Sequence, residues 1–88
     1  MARHNPKAAA NERKYPYVVS LAIAEEPLDL ALNRQIIEFH KARHIEPRHG
    51  RTTDRNGEVF YRWCFSDLHT ARGFIERFGG KLSENGKQ

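Results

Sequence analysis

Residues 40–50, HKARHIEPRHG, interleave His40, His44 and His49 with Lys41, Arg43 and Arg48. Imidazole nitrogens ligate zinc, and a spacing of four makes His40 and His44 neighbours on one helix face. His49, opposed by Cys64 across a hairpin, would supply a second pair. Two arguments count against a metal centre. The hairpin register expected below puts His49 and Cys64 on the sheet face turned away from the helices, so the sheet separates the pairs. The surrounding cations also repel a divalent ion, and no cluster of carboxylates compensates. The expectation is no metal and no cofactor.

Phosphate recognition uses the same stretch with the opposite electrostatic logic. Arg48, Arg51, Arg55 and Arg62 fall on or beside one hairpin, and Phe60 offers a stacking platform on its open face. Against this stand Asp54 and Glu58 among the cations, and the lack of a glycine-rich phosphate loop, helix-turn-helix spacing or a pair of exposed aromatics. Catalysis has less to recommend it. Cys64 and His49 could be drawn as nucleophile and base, but no third group orients them and no oxyanion site is visible. The chain is not expected to be an enzyme.

The elements that would carry these side chains are bounded by size and composition. The chain has 88 residues, 39% hydrophobic and 30% charged, which suits one small globular domain with a limited core. Its single cysteine excludes an internal disulfide, and no apolar run approaches the roughly 20 residues of a membrane span. The first residues, MARHNPKAAANERKYP, lack the apolar stretch of a secretory signal, so a cytoplasmic location is expected. Charge is segregated: residues 1–14 carry a net +3, residues 15–39 a net −3 and residues 40–62 a net +3, with histidine neutral. Patches of opposite sign can steer an acidic partner or a second copy of the chain.

Residues 1–14 show no hydrophobic periodicity and are expected to be a flexible basic N-terminal arm, ahead of a single α+β domain over residues 15–82. YVVSLAIA alternates Tyr17, Val19, Leu21 and Ile23 against Val18, Ser20, Ala22 and Ala24, the period of a strand. From Leu28 the spacing turns helical, with Leu28, Leu32, Ile36 and Phe39 on one stripe beside Ala31 and Ala42, and Pro47 ending the run. Leu30 and Ile37 point away from that stripe. Asn56-Gly57 is the preferred pair for a type I′ turn and predicts a hairpin in which Arg55 opposes Glu58, Thr53 opposes Phe60, Arg51 opposes Arg62 and His49 opposes Cys64. Val59, Tyr61, Trp63 and Phe65 then face the helices. Ser66 or Asp67 caps a second core helix, which carries Leu68, Ala71, Phe74, Ile75 and Phe78 and ends at Gly79-Gly80. Gly73 within it suggests close packing on the sheet, Leu82 is expected to fold back onto its last turn, and residues 83–88 to form a disordered polar tail.

The resulting order, β-α-β-β-α, with a right-handed crossover through the first core helix, gives a two-layer sandwich. Its three-stranded mixed sheet has order 1-3-2 and both helices on one face. This is the ferredoxin-like arrangement without its last strand, an architecture that hosts many functions and carries none across. The first strand would then have an unprotected edge. The leading expectation is therefore a small non-enzymatic interaction module, a homodimer associating through Val18, Ser20 and Ala22 of that edge or through Leu30 and Ile37 of the helix. A nucleic-acid-binding protein using Arg48, Arg51, Arg55, Phe60 and Arg62 is the second expectation.

Overall fold

The computed structural model describes residues 6–23 and 29–84, in the order α1 (Pro6–Lys14), β1 (Tyr17–Ile23), α2 (Leu30–Ala42), β2 (Thr53–Arg55), β3 (Glu58–Phe65), α3 (Leu68–Phe78) and β4 (Lys81–Glu84). The four strands form one sheet in the order β2-β3-β1-β4. Val19, Trp63 and Phe65 on one sheet face meet Ile36 and Phe39 of α2 and Ala71 and Phe74 of α3, and these seven residues are the closed core. The alternation of β1 and β3 and the stripes of α2 and α3 thus act as their periods predict. Phe39, Phe65, Phe74 and Phe78 pack mostly edge-on or tilted, with ring centroids 4.9–6.4 Å apart, a geometry favoured by the aromatic quadrupole.

The sheet departs from the expected one in three ways. It is antiparallel throughout rather than mixed, because β1 and β2, joined by a crossover, run the same way but have β3 between them. It has a fourth strand: β4 pairs with β1, Ser20 with Lys81 and Val18 with Ser83, so β1 is central and its outer edge is paired from Tyr17 to Ser20. Four residues of mixed polarity are too short to show a strand period. Leu82 does join the core margin, but from a strand rather than by folding back on the helix. The expected polar tail therefore begins in a strand, and residues 85–88 lie outside the described part.

The third departure is a slipped register. Arg55↔Glu58, Asp54↔Val59 and Thr53↔Phe60 pair as the Asn56-Gly57 turn requires, both turn residues having positive φ. Beyond Thr53 the partner of His49 is Trp63, not Cys64. Three residues, 50–52, stand opposite two, 61 and 62, which is a β-bulge. One extra residue reverses the facing of everything before it, so His49 lies on the helix side with its ring 5.4 Å from Trp63.

Of the expected arm over residues 1–14, residues 1–5 lie outside the described part and residues 6–14 form a helix. Pro6 sits at its first position, three alanines follow, and Arg13 and Lys14 complement the dipole in the last turn. Ala8 and Glu12, four apart, are its buried side chains, which is why no hydrophobic period announces it. In α2 the helix starts at Leu30, where the Asp29 carboxylate caps it by accepting from the Leu32 N–H at 3.1 Å; Leu28 and Pro27 lie outside the described residues. The helix ends before Pro47 acts, at Arg43, with His44 in the left-handed region at φ 59°. Gly73 faces Phe39 of α2 rather than the sheet, at an ordinary 3.8 Å for an added Cβ. Asp67 caps α3, accepting from Thr70 N–H at 2.9 Å.

Candidate nucleic-acid interface

The sheet face opposite α2 and α3 is only partly covered. Its cross-strand neighbours run in rows, Thr53–Phe60–Ala22 and Arg62–Ser20–Lys81, with Arg55 beside Glu58. Because the central strand contributes only Ser20 and Ala22 here, the larger side chains on either side stand above it. The result is an open groove of about 620 Å³, with Phe60 and Arg62 on β3, Thr53 and Arg55 on β2, and Lys81 and Ser83 on β4. Arg55, Arg62 and Lys81 bring three cations to it against the single carboxylate of Glu58. Phe60 is half-buried, lies outside the aromatic core and lines the groove.

At one end of this face α1 is fastened by its carboxylate. Glu12 Oε1 accepts from Arg51 Nη2 at 2.8 Å and Nε at 3.3 Å; Oε2 accepts from the Arg51 backbone N–H at 2.6 Å and from Arg62 Nη1 at 3.2 Å. The bulge supplies that backbone N–H. Burial alone would push the Glu12 carboxyl up, but the hydrogen bonds from Arg51 and Arg62 outweigh it and hold the group below its ordinary value. Gly50 leaves the space the carboxylate uses: a Cβ there would stand 2.6 Å from Oε2. Asn11 adds a hydrogen bond from its side-chain amide to the His49 carbonyl at 2.9 Å.

Of the arginines expected on a basic hairpin face, Arg55 and Arg62 line the groove with Phe60, and Arg51 stands beside it on Glu12. Arg48 is drawn aside, its guanidinium 4.1 Å from the Tyr15 ring centroid. Lys81 and Ser83 were not foreseen, because they arrive on the strand that the sequence conceals. Ser20 and Ala22, expected at a dimer edge, instead form the groove floor, while Val18 is buried on the same face. Of the β1 edge expected to carry association, β4 pairs with Tyr17–Ser20 and so takes up Val18 and Ser20. Leu30 and Ile37 are exposed on α2, at 80% and 41%.

The histidines do not converge. His40 is buried and stacks on Phe65 at 5.5 Å; its Nδ1–H donates to the Ile36 carbonyl at 2.8 Å, and Nε2 has no hydrogen-bond partner among the described residues. Burial lowers its pKa. His44 is exposed at the helix end. His49 and Cys64 lie on opposite sheet faces, so the drawn nucleophile and base are not brought together, and burial pushes the Cys64 thiol up to about 12. Among the described residues, no group of three or more histidine, cysteine or acidic side chains could hold a metal ion, and no helix is long and apolar enough to cross a membrane.

No protein-family model, curated protein or solved structure matches the chain. The functional reading therefore stands on the geometry of this face.

Proposed function

We propose that the protein binds single-stranded nucleic acid along the groove on its open sheet face. The observation that carries this reading is the half-buried Phe60 set between Arg55, Arg62 and Lys81 over a floor of small side chains. A base can lie on the ring because Ser20 and Ala22 leave clearance. The flanking cations then sit where a backbone passing across the strands would carry its phosphates. Stacking of this kind contributes about 1–3 kcal/mol per base and tolerates many sequences, since every base has a flat face. A single stacking ring with flanking cations favours binding with little sequence preference. A duplex, whose bases are already stacked, gains nothing from Phe60.

The test is fluorescence anisotropy with a labelled single-stranded oligonucleotide at two salt concentrations. Arg55→Ala and Lys81→Ala should each weaken binding and flatten its salt dependence, by about 0.7 in log–log slope for each phosphate no longer neutralised. Phe60→Ala should weaken binding by about 1–3 kcal/mol with the slope unchanged. Equal affinity for wild type and all three variants would remove the groove from the reading.

A second reading rests on the exposed Leu30 and Ile37 of α2: association of two copies through that helix face, which replaces the β1 edge as the homodimer contact. Sedimentation of the wild type and of Leu30→Ser at the same concentration distinguishes it, a dimer that dissociates in the variant being its signature.

A further inference from the structure

The Glu12 clamp is more elaborate than a surface ion pair requires. Both carboxylate oxygens are engaged, by two guanidinium groups and a backbone N–H, and the Glu12 side chain is 5% exposed while that of Arg51 is 61% exposed. Such a fork suits any compact oxyanion, phosphate as well as carboxylate. Arg62 belongs to both places: it pairs with Glu12 and lines the groove. The helix that brings the carboxylate is short. It has nine residues, fewer than the roughly 12–15 at which an isolated helix becomes even marginally stable, and among its described side chains Ala8 and Glu12 are the buried ones. Local opening draws on such elements first.

We propose that the Arg51 backbone N–H and the guanidinium groups of Arg51 and Arg62 form a phosphate-binding site continuous with the groove, which Glu12 occupies in the unliganded protein and vacates when α1 undocks. This rests on the nucleic-acid reading above and adds regulation to it. With Glu12 seated, one of the two arginine charges is neutralised and α1 closes one end of the face. When it leaves, a phosphate takes over its hydrogen bonds and both cations become available to the ligand. The chain's own carboxylate therefore competes with the ligand.

Two full-length variants test this by different routes. Glu12→Gln removes the competing charge and keeps the shape, whereas Gly50→Ala places a Cβ 2.6 Å from the Oε2 position and 3.1 Å from the Arg62 Cβ, which obstructs a carboxylate and a phosphate oxygen there alike. Glu12→Gln should bind a single-stranded oligonucleotide several-fold more tightly than wild type at low salt, with a log–log salt slope steeper by about 0.7 for each further phosphate neutralised, and adding Gly50→Ala to it should abolish that gain. In the wild type, the oligonucleotide should speed hydrogen exchange of the α1 amides, a readout that needs no variant to fold. Binding that is unchanged or weakened by Glu12→Gln, a gain that survives the addition of Gly50→Ala, or α1 amides that exchange more slowly with ligand bound, would overturn the latch and leave the groove reading in place. No binding by wild type or either variant would overturn both.

Discussion

A carboxylate and a bulge decide how this face is built. Glu12 can be buried only because Arg51 and Arg62 meet it, and Arg51 can offer its backbone N–H only because residues 50–52 leave the regular ladder. The linkage has a definite sign. The folded-state pKa of Glu12 lies below its ordinary value of about 4.3, so the stability it contributes is fully present above that pH and is lost as pH falls through the folded value. The melting temperature of the wild type should accordingly fall more steeply than that of Glu12→Gln as pH is lowered from about 5 through the carboxylate range. Asp67, held low chiefly by its hydrogen bond from the Thr70 backbone N–H, titrates in both proteins, so the difference between the two curves isolates Glu12. Parallel curves would show that the clamp contributes no stability.

Among the elements, those with a hydrophobic period were legible in the sequence and those without one were not. β1, α2, β3 and α3 follow from alternating or helical apolar spacing, and the hairpin follows from Asn56-Gly57. α1 is anchored by Ala8 and a carboxylate, and β4 is four residues long with one apolar side chain, so neither carries a readable pattern. The candidate site was half visible for the same reason: Arg55, Phe60 and Arg62 lie on the legible hairpin, Lys81 and Glu12 on the hidden elements. The bulge had one signal, Gly50 next to a strand, and it was not enough to foresee that His49 would change faces. β4 also explains a glycine. Gly80 has φ 106°, and a Cβ on it would meet the Ser20 carbonyl oxygen at 2.6 Å, whereas Gly57, at φ 83°, has open space around it. Gly57→Ala should therefore cost only backbone strain, about 1–3 kcal/mol. Gly80→Ala should cost clearly more in a denaturant melt, because β4 must also move off β1. Equal losses would contradict the close approach.

On the scale of the whole molecule, the two sheet faces divide the work. One is closed by α2 and α3 around Trp63, Phe39 and Phe74 and holds the fold. The other is capped at one end by α1 and open over the groove, and its cations come from β2, β3 and β4 together. Assembling a basic face from three strands of one small sheet fixes the spacing of its residues, since the backbone of each is set by pairing on β1 or β3. A half-apolar, cationic surface is suited to an extended polyanion with exposed rings. The most direct test is an amide chemical-shift map of the full chain titrated with a single-stranded oligonucleotide at physiological salt. Saturable shifts at Ser20, Ala22, Phe60, Arg62 and Lys81, with the outer face of α2 around Leu30 and Ile37 unmoved, are the predicted result. Shifts confined to that face of α2, or none at all, would contradict the account.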